Sequence, residues 1–510
     1  MPRKARACTH RDIYIDCSPE ARECGFERPP AGKRLTAATS SGRVAASSQH
    51  YATPETLFSD GEVFPGPLVL PDELLAIEPK HHSQSFKSWH QSANYYGMRV
   101  TKRRNAIYVI PPPEVTDEVK DLMAGWLDPV VPRGESVRGM PKDLEQPTVD
   151  DLCDYLGAFY HGMEIRKLEP GFRWVAWDGN NSKSESNEPE RPRIGLATPA
   201  PTSEVVGVQY RPSIDGIATQ QVNLNDVLDA MIPLVPADAH SIVMMIHHDL
   251  YEDEDDDFCC GRAYGGSRVC LVTTFRYHPC LDRYAGINTE HSWPAAHCKS
   301  YVEALCRTSP PPAKRARGAD SPPSHMVIRR NPSTPLGAAI ESSRGKLAPR
   351  TRADYHGLWF SRAARTISHE IGHCVTLDHC IYFACVMQGT ASIVEDMHQP
   401  PYCCPVCIEK LSYNMCVLGG PAKSKSTVEL QRAWIRGQHR ALAEVCRKWS
   451  HVGMFAGLGG WLEKRLAAVD VDGEDDEDEV VYMGTRPADE DGSAKGAASS
   501  KLFAQWLDDD

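Results

Sequence analysis

Apolar residues recur every three or four positions in some stretches of the chain and run almost unbroken in others. VTDEVKDLMAGWL (115–127), VDDLCDYLGAFYHGM (149–163) and NLNDVLDAMIPLV (223–235) have the first pattern and predict helices, each with one face turned inward. NAIYVIPP (105–112) and FRWVAWD (172–178) read as short strands, and ordered chain continues through VVGVQYR (205–211). SIVMMIHH (241–248) and RVCLVTTFR (268–276) are so apolar that they predict buried strands. A helix is expected from about Tyr355 to Val375, and VELQRAWIRGQHRALAEVCRKW (428–449) is amphipathic, with WLEKRLAAV (461–469) closing the fold. Strands alternating with helices imply an α/β (α+β) layer arrangement, without fixing the strand order.

Elsewhere the periodicity fails. Residues 1–55 are rich in Ala, Ser, Arg and Pro and read as a disordered arm. The ordered domain is expected over 56–470, interrupted by polar, flexible inserts at 179–193 and 309–350. Residues 471–510 read as an acidic disordered tail. Across the 510 residues the formal charge is −12, yet Asp470–Asp510 holds 14 acidic and 3 basic residues, so 11 of those negative charges belong to the end of the chain. The body is close to neutral and offers no basic field for nucleic acid.

The first 25 residues lack a secretory apolar run, and no stretch approaches the roughly 18 apolar residues that span a bilayer. The protein is therefore expected to be soluble and intracellular, cytoplasmic, with KRAR (314–317) weighed as a nuclear import signal against a simply solvated run. EDEDDD (252–257) lacks the spacing and glycine of an EF-hand loop and reads as a solvated turn. In a reducing compartment 18 cysteines are not a disulfide framework; clustered ones favour metal and scattered ones burial. Six of them lie between Cys374 and Cys407.

That region carries the chemistry. In TISHEIGHCVTLDHC (366–380), His369, Glu370 and His373 form HExxH. On a helix, residues four apart share a face, so two imidazoles can grip one ion while the intervening glutamate addresses water on it. Zn²⁺ held by neutral nitrogen ligands with an open position lowers the pKa of bound water to about 7, which a carboxylate can then deprotonate as attack on a peptide carbonyl begins. A continuous helix would carry His379 about 15 Å beyond His369, so the chain must reverse if all three histidines share an ion. The residue placed to make that turn is Thr376, and a β-branched side chain at positive φ costs about 1–3 kcal/mol. His379 is the expected third ligand, with Glu395 as the runner-up.

Cys380, Cys385, Cys404 and Cys407 follow as two close pairs, the spacing of a closed Cys₄ zinc site, with Cys403 able to exchange for Cys404. Because His379 and Cys380 are adjacent, they should serve different ions, and the closed site would brace the turn that brings His379 round. Asp378 and Asp396 are candidates to orient a ligand imidazole. Tyr382 and Tyr402 read as buried aromatics with a lesser claim to an oxyanion role.

HEIGHCVTLDHCIYFACVM followed by CPVC resembles the archaemetzincin family, whose pattern is HExxHxxGxxHC, then CxM, then CxxC. The resemblance covers His369 to Cys407, with weaker likeness in SIVMMIHHDLY and FCCGRAYGGSRVCLVTTFRY. It implies a metzincin-like mixed sheet with a backing helix and an active-site helix, a small zinc-braced helical subdomain at the C-terminal side, a catalytic and a structural Zn²⁺ (two per chain), and Met387 in a turn beneath the catalytic ion. It further implies hydrolysis of peptide or protein substrates, with neither nucleic acid nor membrane as partner. The chain departs from the pattern at Thr376, in the 309–350 insert and in both tails. RVCLVTTFR is the candidate edge strand for an extended peptide. The rival from another class is a zinc-stabilised interaction protein whose catalytic site has decayed; Thr376 supports it, and retention of Glu370 argues against it.

Overall fold

SIVMMIHH becomes the strand Ala239–Ile246 at the middle of a five-stranded sheet, buried at every position. A computed structural model describes residues 8–43, 61–179, 191–200, 202–308, 326–419 and 426–472. Across the sheet the order is Gly261–Tyr264, Val269–Thr273, Ala239–Ile246, Ala106–Ile110 and Glu164–Lys167, parallel except for the first. Period-two alternation divides its side chains between two cores. Val243 and Met245 join Phe159, Ile367 and Ile371, whereas Ile242, Met244 and Ile246 join Val227, Leu228 and Met231. A strand covered on both faces must be apolar throughout, which is why this segment reads as continuous rather than alternating.

The expected helices form at Val149–Phe159, Leu224–Met231 and Thr427–Lys448. VTDEVKDLMAGWL does not become one: it runs as successive turns, with isolated bonds such as Val119 N–H to Thr116 C=O and Met123 N–H to Val119 C=O, and reaches Gly125 at φ 79°. Val119, Met123 and Trp126 still bury as the spacing required. The apolar pattern specified which side chains go inward, and the backbone met it with turns.

The N-terminal arm also differs from the expectation. Asp12–Tyr14 is a strand paired antiparallel with Val327–Arg329, and the helices Pro19–Cys24 and Ala31–Ala37 follow it. Within the 309–350 insert, the helix Pro335–Ser343 buries Leu336, Ala339 and Ile340. Both stretches are short and find their apolar partners far away in sequence, a relation that local periodicity cannot report. The expectations for 1–7, 44–55, 180–190, 309–325, including KRAR, and 473–510 fall outside the described residues. The C-terminal helices Thr427–Lys448 and Gly453–Asp472 contribute Leu442, Phe455 and Trp461 to the core that also holds the cysteine-rich segment. Among the described residues, no helix is long and apolar enough to cross a membrane.

The helix Arg352–Cys374 positions the site. A capping box between Thr351 and Asp354 starts it, and Phe360, Ala364, Ile367 and Ile371 lay one stripe against the sheet. Arg362 forms a buried two-pronged pair with Asp282 at 2.6 and 2.9 Å, which fixes the helix in rotation and height.

Candidate functional site

The reversal after the helix takes place at Thr376, whose φ is 61°. The Leu377 N–H reaches the Gly372 carbonyl at 3.0 Å, the bond that closes a left-handed helix end. Surrounding groups hold the strained turn: Gln84 Nε2 donates to the Thr376 carbonyl at 2.9 Å, Trp89 Nε1 donates to that of Val375 at 3.0 Å, and the Thr376 hydroxyl donates to the Val375 carbonyl at 2.7 Å. Thr376→Gly should relieve the side-chain clash at the cost of a freer unfolded chain, for a net gain of about 1 kcal/mol. Urea denaturation measures it, and a loss of stability would show that the threonine side chain holds the turn.

The turn brings the third histidine back. His379 lies with its ring centroid 5.4 Å from that of His369 and 5.0 Å from that of His373, and one nitrogen from each of the three lies within 4.8 Å of the others. His369 Nε2 and His373 Nε2 are 2.9 Å apart. The opposite nitrogens are engaged: His369 Nδ1 with the Val386 carbonyl and His373 Nδ1 with the Leu377 carbonyl, each at 2.7 Å. Since a carbonyl only accepts, each ring carries its proton on Nδ1 and turns the Nε2 lone pair toward its neighbours. Burial, followed by the neighbouring imidazoles, pushes all three pKa values down to about 3, so the rings are neutral near pH 7. Three neutral imidazoles with converging lone pairs suit a divalent ion such as Zn²⁺.

Backbone carbonyls therefore do the orienting that Asp378 and Asp396 were candidates for. Asp396 pairs with Arg365 at 2.6 Å, and Asp378 Oδ1 accepts from the His379 N–H at 2.8 Å. Glu395, the other candidate third ligand, is turned away from the cluster: its Oε2 accepts from the backbone N–H of Leu74 at 2.9 Å and of Ala391 at 2.7 Å. Burial, then the charge of Glu73, raises the Glu395 pKa from 4.5 to about 9. A carboxyl that keeps its proton in the fold stabilises it fully below pH 4.5, and that contribution is lost as pH rises toward about 9. Glu395→Gln should flatten the decline; denaturation midpoints at pH 6 and pH 9 would measure it, and an unchanged slope would exclude Glu395 as its source.

Met387 lies directly under the helix, where a Cβ built on Gly372 would come within 2.5 Å of the Met387 sulfur. Its loop is tied to both clusters. The Met387 carbonyl accepts from the Cys380 N–H at 2.7 Å, and Cys385 Sγ accepts from the N–H groups of Met387 at 3.4 Å and Cys404 at 3.2 Å. The sulfurs of Cys380, Cys385, Cys404 and Cys407 all fall within 4.8 Å of one another, and all four residues are buried. Hydrogen bonds from the other three thiols hold Cys380 well below the ordinary thiol range, while burial pushes Cys385 and Cys404 well above it. Four sulfurs packed so closely could all be held as thiolates only by a compensating cation, which a tetrahedral ion would supply. Cys403 stands outside this group, and Cys374, the last residue of the helix, is buried as a small apolar side chain. Tyr402 stacks on Trp461 at 4.4 Å and, like Tyr382, belongs to the core.

Glu370 projects from the same helix and is 7% exposed. It packs on the strand Gly261–Tyr264, where a Cβ built on Gly261 would lie 3.2 Å from both Cγ and Oε1 of Glu370. This strand, not Val269–Thr273 of RVCLVTTFR, is the outer one at this side of the sheet. RVCLVTTFR is the edge strand expected from the sequence, but antiparallel pairing covers it with Gly261–Tyr264. Arg262 of the outer strand pairs with Glu252 at 3.2 Å, which places the acidic loop at the same rim. The orienting carbonyls of Val386 and Leu377, the outer strand and the support from Gln84 and Trp89 have no local sequence signal.

Comparison with known proteins agrees with the motif. Residues 350–413 match the family described as peptidase family M54. Human Archaemetzincin-2 is 26% identical over 244 residues, which is 48% of this chain and 53% of that protein. The archaemetzincin of Thermococcus kodakarensis is 32% identical over 91 residues, 16% of this chain and 49% of that one. The chain thus spans about half the length of these two relatives. The crystal structure of the archaemetzincin from Methanopyrus kandleri aligns with a TM-score of 0.28 at 13% identity, covering 62% of this chain and 97% of that one. HExxH, the returning histidine and the four clustered cysteines all lie inside the segment that is similar to peptidase family M54 and to the archaemetzincins.

Proposed function

We propose that this chain is a zinc-dependent metallopeptidase in which His369, His373 and His379 hold the catalytic ion and Glu370 is the general base. Cys380, Cys385, Cys404 and Cys407 hold a second, structural Zn²⁺. The observation that carries this reading is the convergence of three neutral imidazoles beside a carboxylate that is not one of them. A zinc ion bound there supplies Lewis-acid polarisation of the scissile carbonyl and makes water nucleophilic near neutral pH.

The protein's own groups do the rest. The Val386 and Leu377 carbonyls keep the ligand imidazoles in one tautomer and orientation, so no reorganisation is required when substrate arrives. Glu370 accepts a proton from the attacking water on a carboxylate oxygen and delivers it to the amide nitrogen as the C–N bond breaks. The outer strand Gly261–Tyr264 offers backbone N–H and C=O groups to an extended peptide, recognition that reads main chain before side chain. Gly261 leaves the space that Glu370 occupies beside that strand.

The competing reading is a scaffold that binds zinc without catalysis. Incubating wild type and Glu370→Ala with a library of unstructured peptides separates the two. Cleavage by wild type alone is expected of the peptidase, and equal inactivity of both would favour the scaffold.

A further inference from the structure

A second meeting of histidines and cysteines lies far from the HExxH helix. Cys8 and His10, from the start of the described chain, meet His291 and Cys298, and one donor atom from each falls within 4.8 Å of all the others. Cys8 Sγ and Cys298 Sγ are 3.4 Å apart. Four ligands around a tetrahedral Zn²⁺ at its usual bond lengths lie about 3.3–3.8 Å from one another, so modest side-chain adjustment would close the group on one ion.

The imidazoles need such a partner. Neither ring nitrogen of His291 has a hydrogen-bond partner, and the residue is only 8% exposed. His10 bonds to the Glu290 backbone, which leaves its Nε2 buried and unmatched. Buried polar atoms without partners each cost about 1–3 kcal/mol, and one ion here would satisfy two of these three, one on each ring. The rings are also held in place. His291 stacks on Tyr301 at 4.3 Å with 9° between planes, and the Tyr301 hydroxyl engages His398 Nε2 at 3.0 Å. His10 sits at φ 45°, a second local cost that a bond from its ring to a metal would offset.

We propose that Cys8, His10, His291 and Cys298 form a closed Cys₂His₂ zinc site, separate from the two clusters of 369–407, that fastens the N-terminal segment to the body of the protein. Two sulfurs and two nitrogens at tetrahedral spacing are a donor set that selects zinc. With four protein ligands no position stays open for water, so the role is structural. The fastening adds to contacts that the N-terminal segment already makes with the body: Ile13 bridges to Cys298, and Asp12–Tyr14 pairs with Val327–Arg329. Binding displaces one proton from each thiol and draws the two sulfurs onto the ion.

Metal analysis of the full chain, purified under reducing conditions, tests this. Cys8→Ser/His10→Ala should contain one zinc fewer than wild type, and Cys8→Ser/His10→Cys should hold zinc no better, whereas the single change His10→Cys should keep the wild-type content. Equal zinc in wild type and Cys8→Ser/His10→Ala would overturn the site. A second measurement needs no variant: iodoacetamide should leave Cys8 unmodified in the zinc-loaded protein and alkylate it after chelation, as read by peptide mass mapping. Equal alkylation before and after chelation, or a Cys8–Cys298 disulfide in the zinc-loaded protein, would overturn the proposal as well.

Discussion

Glu370→Ala should fold, keep its zinc and lose about 10²–10⁴-fold in kcat/KM for peptide cleavage, the usual share of a general acid–base group. Glu370 adjoins His369 on the helix but is not part of the three-histidine group, so its removal leaves the donor set intact. Its contacts are with the outer strand at Gly261, where a methyl side chain leaves space rather than a clash. Loss confined to the transition state appears in kcat, with KM nearly unchanged, because the peptide still pairs with the strand edge. Initial rates on one peptide taken from the library, alongside zinc content, provide the measurement. Wild-type kcat in the variant would remove Glu370 from the mechanism; zinc loss in parallel with activity would instead make it a support of the metal site.

The second large effect is expected at Cys404. This residue is the N-cap of the helix Pro405–Met415, and its N–H donates to Cys385 Sγ at 3.2 Å. Structural zinc in small domains is worth about 10–16 kcal/mol, comparable with the whole margin of a folded domain, about 5–15 kcal/mol. Cys404→Ser should therefore lower the thermal midpoint sharply. The damage should also spread to the histidine site, since Cys380 adjoins His379 and the Cys385–Met387 loop supplies the Val386 carbonyl that orients His369. Zinc content is expected to fall by two equivalents rather than one. Cys403→Ser, which changes a neighbour outside the cluster, should keep the wild-type content. A Cys404→Ser protein that retained zinc at the histidines and melted with wild type would break the link between the clusters.

How far the site could be read in advance depended on sequence distance. HExxH and the paired cysteines fall within 39 residues, and their spacing constrains geometry through the helix repeat and the reach of a short loop. The need for a turn at Thr376 followed from that same arithmetic, and the observed φ of 61° is the conformation it required. The sequence favours His379 over Glu395 by its place in the motif, but loop paths are not periodic and the spacing alone does not show how the turn is held. Gln84 and Trp89, nearly 300 residues away, hold the Thr376 turn that brings His379 beside the other two histidines.

By itself the sequence determined the long helix, the buried central strand, which side chains of 115–127 face inward, and the types of metal donor; each of these follows from local spacing and side-chain chemistry. Tertiary structure alone decided that Gly261–Tyr264 lies outside RVCLVTTFR, that backbone carbonyls aim His369 and His373, and that Cys8 and His10 meet His291 and Cys298. Those relations join residues with no fixed interval between them, and only the burial of apolar surface from distant segments sets where they meet.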